Sequence, residues 1–127
     1  AIAAAAVADF KPLAPKPHKI KKEEGIPSIE LQPNPDILAR MGKEKKQQFV
    51  LGFALETQDN WKEALAKKRR KKADAIVMNS LTDPGAGFAS DTNKITYIGE
   101  NEKPKRFSLK SKNEVAKDIW NEIMDQG

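Results

Sequence analysis

Apolar positions fall along this chain in short blocks, separated by charged and proline-rich stretches. The first block runs Ala1-Ile2-Ala3-Ala4-Ala5-Ala6-Val7-Ala8 and ends at Asp9. An uninterrupted run of this kind predicts a strand buried on both faces of a parallel sheet. Pro12, Pro15 and Pro17 predict an irregular loop next, because proline lacks the amide donor and fixes φ. That loop carries the cluster Lys19-Ile20-Lys21-Lys22. Alternation over Ser28 to Gln32 predicts a short strand with Ile29 and Leu31 turned inward.

Asn34-Pro35-Asp36 reads as a helix start, with an asparagine cap, a proline at the first helical position and an acid in the first turn. Ile37, Leu38 and Met41 continue the stripe, and Gly42 marks its stop. Phe49 to Leu55 predicts a second strand in which Gly52 allows close backbone approach. Asn60 to Lys72 predicts a helix with Trp61, Ala64, Leu65 and Lys68 on one face, and Asn60 with Glu63 has the spacing of a capping box. Ala75 to Met78 is a third buried strand, ending in Asn79-Ser80. Ile95 to Ile98 and Arg106 to Leu109 predict a hairpin turned over Gly99 to Pro104. Ser111 to Glu114 is an S-x-x-E capping box. It opens a final helix with Val115, Ile119 and Ile123 beside Ala116, Trp120 and Met124.

Strand, helix, strand, helix, strand predicts an α/β fold: a three-layer, Rossmann-like, mostly parallel sheet with helices on both faces and a C-terminal β-hairpin. Residues 1–127 are enough for one domain and too few for two. Ala1 opens directly inside a predicted strand, so the N-terminal part of the fold is expected to be missing from this sequence. Ligands of such sheets bind at the carboxyl ends of the strands. The polar residues Asp9, Glu56-Thr57 and Asn79-Ser80 fall at the three predicted ends.

Composition narrows the chemistry. Hydrophobic residues are 39% and charged residues 32%, an ordinary soluble balance. The longest apolar run is far short of the ~20 residues of a membrane span, and there is no basic leader of a signal peptide. With no cysteine, disulfides, thiolate zinc sites and cysteine nucleophiles are excluded, which is compatible with the cytoplasm. His18 stands alone, which argues against a metal site or a histidine base. Asp83-Pro84-Gly85-Ala86-Gly87 is not a P-loop, since no Gly-Lys-Ser/Thr follows, and reads as a flexible surface loop.

The net charge of +5 favours an anionic partner. The run Lys67-Lys68-Arg69-Arg70-Lys71-Lys72 has three readings. It is a solvated helix end offsetting the helix dipole, a nucleic-acid patch, or a phosphate clamp formed by Lys67 and Lys71 at i, i+4. Nucleic-acid patches usually interleave aromatics, and aromatics are only 6% here. The Lys19 cluster is either solvated or, beside a ligand crevice, phosphate-binding. Asn34 caps its helix, or the helix start offers backbone N–H groups to an anion or a base edge. Phe53 reads as core before it reads as ligand-stacking.

In order, Ala4-Ala5-Ala6-Val7-Ala8-Asp9-Phe10, Lys19-Ile20-Lys21-Lys22, Asn34-Pro35-Asp36-Ile37, Gly52-Phe53-Ala54-Leu55-Glu56-Thr57 and Gly87-Phe88-Ala89-Ser90-Asp91-Thr92-Asn93 resemble the phosphopantothenoylcysteine synthetase family. In most bacteria that phosphopantothenate–cysteine ligase is the C-terminal part of a bifunctional coenzyme A biosynthesis protein whose other half is a flavin-dependent decarboxylase. The resemblance runs over nearly the whole chain. It implies a CTP-dependent ligase working with Mg2+. CTP activates the carboxylate of 4'-phosphopantothenate as an acyl-cytidylate, pyrophosphate leaves, and the amine of cysteine displaces CMP.

Carried over by position, Asp9 and Lys19 resemble nucleotide-binding residues, with Lys19 the catalytic residue that neutralises charge on the reacting phosphate. Pro35, Asp36, Ile37 and Leu38 resemble the segment whose backbone reads the cytosine. Phe53 resembles the aromatic beside the nucleotide, and Lys67 and Lys71 the helix lysines that reach the triphosphate. The resemblance further implies a cytoplasmic homodimer, with FMN held by a separate decarboxylase domain. Two departures stand out. The third strand commonly ends Ala-Asn-Asp in the family, against Met78-Asn79-Ser80 here, and the upstream Gly-rich turn and asparagine of the second step have no counterpart. Competing readings are a basic nucleic-acid-binding module and a non-catalytic fragment that pairs with another chain.

Overall fold

The computed structural model describes residues 1–14, 16–25, 28–56, 60–80 and 90–126. In chain order its elements are β1 (Ile2–Ala3), β2 (Phe10–Pro12), a 3-10 turn at Lys22–Glu24, β3 (Leu31–Pro33), α1 (Ile37–Glu44), β4 (Leu51–Glu56), α2 (Trp61–Arg70), β5 (Ala75–Ser80), β6 (Thr92–Asn93), β7 (Ile95–Ile98), β8 (Pro104–Arg106), β9 (Lys110–Ser111) and α3 (Lys112–Asp125). They group into two compact units, one of Ala1–Ala4 with Leu38–Gly127 and one of Ala5–Ile37.

The larger unit is built on a five-stranded sheet of order β1-β4-β5-β7-β8. β1, β4 and β5 run parallel, and β7 and β8 are antiparallel to them. Strand periodicity sorts the side chains into two cores. Leu51, Ala75, Val77, Ile95 and Tyr97 pack with Val115 and Ile119 of α3, flanked by Phe49, Phe53, Phe107 and Ile123. Ala54, Ile76, Met78 and Ile98 pack with Ala64 of α2, flanked by Trp61 and Leu65. Helices therefore cover both faces, as the alternating element pattern predicts. The expected hairpin is present, with its second strand two residues earlier, at Pro104–Arg106. A small antiparallel ladder of β6 and β9 leads into α3, where the Ser111–Glu114 capping box is formed in both directions.

Two glycines set how closely α1 packs. A Cβ at Gly52 would overlap Leu38 of α1, so the strand glycine makes room for the helix. A Cβ at Gly42 would overlap the Lys71 carbonyl oxygen and meet that of Lys72 at 2.9 Å. Gly42 is thus a buried packing position inside α1, not the stop the sequence suggested, and the helix continues to Glu44. Below the sheet, Asp74 accepts from the Val50 N–H at 2.7 Å and from Lys45 Nζ at 2.5 Å, tying the exit of α1 to the start of β5.

In the smaller unit β2 and β3 pair as an antiparallel ribbon, with Phe10 opposite Pro33 and Pro12 opposite Leu31. The Leu13 N–H donates to the Glu30 carbonyl and the Asn34 N–H to the Asp9 carbonyl, both at 2.8 Å. Prolines fit here because both strands of a two-stranded ribbon are edges.

Several local expectations are corrected. The Ala1–Ala8 run forms only the two-residue β1, which lies at the sheet edge with Ile2 half-exposed. Asp9 consequently does not close a strand of the large sheet. It precedes β2 instead. Phe10–Pro12 is paired rather than irregular, and Ile29 and Leu31 are exposed rather than inward. Asn34 lies three residues ahead of α1, and its Nδ2 donates to the Ala8 carbonyl at 2.8 Å, so the side chain fastens the ribbon instead of capping the helix. Asn60 occupies the N-cap of α2 but makes no side-chain cap bond, so the Asn60–Glu63 capping box is not formed. Among the described residues no helix is long and apolar enough to cross a membrane.

Candidate functional site

The carboxyl edge of the parallel strands carries Glu56, the last residue of β4, opposite Ser80 of β5, with Asn79 opposite Leu55. α2 flanks this edge. Helical side chains lean toward the helix N-terminus, which lets Lys67 reach back to the strand end. Its Nζ lies 3.1 Å from Glu56 Oε1, with side-chain exposures of 27% for Lys67 and 17% for Glu56.

The rest of the basic run does not form one patch. Lys68 is buried, its ammonium 3.9 Å from Glu102, and Arg69 grips the same carboxylate with Nε at 3.1 Å. The Glu102 side chain holds the Arg69 guanidinium above its ordinary value, and the Arg69 hydrogen bond holds the Glu102 carboxyl below the usual carboxylate range. Arg70 and Lys72 are exposed at the helix end, where cations offset the dipole. Lys71 closes α2, half-buried, its N–H donating to the Lys67 carbonyl at 3.0 Å. It starts one helical turn, ~5.4 Å, further from the edge than Lys67. The solvated helix end thus describes Arg70 and Lys72, while Lys68 and Arg69 are taken up by Glu102.

Phe53 lies in β4 on the α3 side, half-buried against the core that contains Leu51 and Val77. Glu56, three residues on, has the opposite strand parity and faces α2. Leu38, half-buried, packs its side chain against Gly52.

The other assigned residues belong to the smaller unit. Asp9 is exposed, and its carbonyl accepts the Asn34 N–H. Lys19 is exposed between β2 and the 3-10 turn. Pro35 and Asp36 directly precede α1, and Ile37 opens it, 51% exposed. Amides of a first helical turn have no intrahelical acceptor, and such a start suits an anion or the acceptor edge of a base.

Thr57 and the segment Asp83 to Gly87, with Phe88 and Ala89 of the last motif, lie outside the described residues. Among the described residues no group of three or more His, Cys, Asp or Glu could hold a metal ion, and His18 is exposed. Sequence reasoning noted Glu56 as a polar strand end and missed it as the partner of Lys67. The available signal was a carboxylate closing an apolar strand that feeds a lysine-bearing helix.

A family model described as the DNA/pantothenate metabolism flavoprotein C-terminal domain matches residues 1–126. The chain is 51% identical over 125 residues to a protein of an unknown prokaryotic organism named cysteine/cysteine sulfinic acid decarboxylase, covering 98% of this chain and 35% of that protein. It is 41% identical over 122 residues to the coenzyme A biosynthesis bifunctional protein CoaBC of Bacillus subtilis (strain 168), covering 96% of this chain and 30% of that protein. The chain therefore spans about a third of the length of these curated relatives.

Among solved structures, the C-terminal domain of a CoaBC protein matches with a TM-score of 0.72 and 34% identity, over 98% of this chain and 55% of that one. A DNA/pantothenate metabolism flavoprotein from Streptococcus pneumoniae matches with a TM-score of 0.73 at 17% identity, over 96% of this chain and 61% of that one, a likeness of fold alone. The Rossmann-like α/β architecture and the resemblance carried by the five ordered motifs both hold. The chain belongs to the family of the DNA/pantothenate metabolism flavoprotein C-terminal domain.

Proposed function

We propose that this chain supplies the nucleotide-binding part of a phosphopantothenate–cysteine ligase of coenzyme A biosynthesis. In the first step a carboxylate oxygen of 4'-phosphopantothenate attacks the α-phosphorus of CTP, forming the acyl-cytidylate and releasing pyrophosphate. In the second, the amine of cysteine attacks the acyl carbon, loses a proton, and CMP leaves. The observation that carries this reading is the Lys67 ammonium at the carboxyl edge of the parallel strands, in a chain similar to CoaBC proteins.

Displacement at phosphorus needs positioning and charge neutralisation more than a protein nucleophile. Lys19 is assigned to the reacting phosphate, Lys67 and Lys71 to the triphosphate, Asp9 and Phe53 to the nucleoside, and the backbone of Pro35, Asp36, Ile37 and Leu38 to the cytosine. Magnesium fits as an ion carried by the triphosphate, since such ions commonly take phosphate oxygens and water with few protein ligands and no three-residue cluster is present among the described residues. The working form is proposed as a cytoplasmic homodimer. Any flavin belongs to a decarboxylase domain outside these residues. The decarboxylase name of one relative belongs to a protein of which this chain matches 35%.

Titration calorimetry with CTP, ATP, GTP and a nucleic-acid duplex tests the proposal. CTP is expected to bind most tightly. Duplex binding that matches or exceeds it, with the steep salt dependence of phosphate-backbone contacts, would turn the assignment toward a nucleic-acid module.

A further inference from the structure

We propose that Glu56 is an internal counter-ion for Lys67: it holds the ammonium at the carboxyl edge of β4 and must give it up when a polyphosphate arrives. This deepens the function proposed above and rests on Lys67 as a triphosphate contact.

Lys67 is unlike its basic neighbours. Lys68 and Arg69 are committed to Glu102 on the far side of α2's last turn, and Arg70 and Lys72 point to solvent at the helix end. Lys67 is drawn to a strand end, by a carboxylate 3.1 Å away. Neither side chain is fully buried, at 27% and 17% exposure, so the pair can exchange partners without crossing the core.

In a largely buried ion pair the desolvation of both charges offsets much of their attraction, so the net contribution to stability is small. A phosphate oxygen is as good an acceptor for an ammonium as a carboxylate oxygen. Exchanging one for the other is therefore close to neutral for Lys67 itself. The cost falls on Glu56, whose charge is left beside a polyanion. Glu56 thus weakens anion binding at this edge and lets the anionic product leave, while keeping Lys67 in place between turnovers. A bridge that merely braced β4 against α2 would have no such effect on affinity.

The test is calorimetric titration of the wild type, Glu56→Gln and Glu56→Ala with inorganic tripolyphosphate and with CTP, at low and physiological salt. Thermal unfolding of each variant establishes that it is folded. Removing one screened negative charge near the anion should tighten tripolyphosphate binding roughly three- to tenfold, with the gain shrinking at higher salt. A purely structural bridge gives the opposite pattern: earlier melting and binding that is unchanged or weaker. Equal or weaker tripolyphosphate binding by the folded variants overturns the inference, including the case in which no protein binds it. The two readings fail separately. A wild type that binds CTP no better than tripolyphosphate removes the nucleotide assignment, whereas the counter-ion role stands on the variant-to-wild-type ratio for tripolyphosphate alone.

Discussion

The two compact units are held together in different ways. In the larger one Leu51, Ile76, Val77 and Ile98 are fully removed from solvent between helices. In the smaller one no described residue is buried, and Phe10, Leu13, Ile29 and Leu31 are each more than half exposed. A two-stranded ribbon without a core is marginal in water. Here it is fastened by backbone pairing and by the Asn34 side chain on the Ala8 carbonyl. Of the residues named in the proposal, Lys67, Lys71, Phe53 and Leu38 belong to the larger unit, and Asp9, Lys19 and Pro35 to Ile37 to the smaller one. Segments that bind ligands are commonly drawn from the low-stability end of a fold. The difference teaches that stability and recognition can be altered separately in this chain.

The largest effect should come from the frame. Ile76→Ala removes a fully buried side chain and should cost about 2–5 kcal/mol in denaturant unfolding. A loss below 1 kcal/mol would mean that this core is not closed in solution.

Next comes a titration of the same frame. Burial pushes the Tyr97 phenol up to about 12, with the Glu122 carboxylate adding to it. The Gln126 amide pulls the other way without reaching hydrogen-bond geometry. The unfolded phenol releases its proton first, so stability is intact below pH ~10 and falls as pH rises toward 12. Tyr97→Phe should flatten that decline in pH-dependent melting curves.

Ser111→Ala, which removes the hydroxyl half of the α3 capping box and leaves the residue-111 N–H to the Glu114 carboxylate, should cost about 1 kcal/mol. The Ser111 hydroxyl holds the Glu114 carboxyl low, and the Ser111 N–H adds to it. That part of the cap is present above the unfolded carboxylate range and is lost as pH falls through the lowered folded value.

The smaller unit should respond locally. Asn34→Ala deletes its bond to Ala8; the amides of Leu13 and of position 34, both bonded within the ribbon, should exchange faster while the melting temperature of the frame holds. Smallest of all, Phe10→Ala at a 58% exposed position should change global stability by no more than about 0.5 kcal/mol. A cost as large as that of Ile76→Ala would erase the contrast between the units. Separately from stability, Lys19→Gln should abolish acyl-cytidylate formation at an unchanged melting temperature, and normal turnover would remove Lys19 from the catalytic role.

The frame was readable because its signals are periodic and local. Leu51 to Glu56 and Ala75 to Ser80 are apolar stretches of strand length, and the Ser111–Glu114 box is complete within four residues. Of the candidate site, the sequence offered residue types in order, and the structure moved Asn34 from a helix cap to a bond with the Ala8 carbonyl. The smaller unit was misread because apolar residues without a core carry no reliable inward face. Ile29 and Leu31 alternate as a buried strand would, yet have nothing to bury against.

By itself the sequence determined the alternation of strands and helices from β4 onward and the cap of α3, each of which depends on neighbours within a few turns. Only the tertiary structure decided that Gly42 is a contact against the Lys71 and Lys72 carbonyls, that Asn34 fastens a ribbon, and that Glu56 takes Lys67 while Glu102 takes Lys68 and Arg69. Charge partners and close approaches join residues distant along the chain. No local propensity encodes which carboxylate a given lysine will meet once the strands and helices have packed.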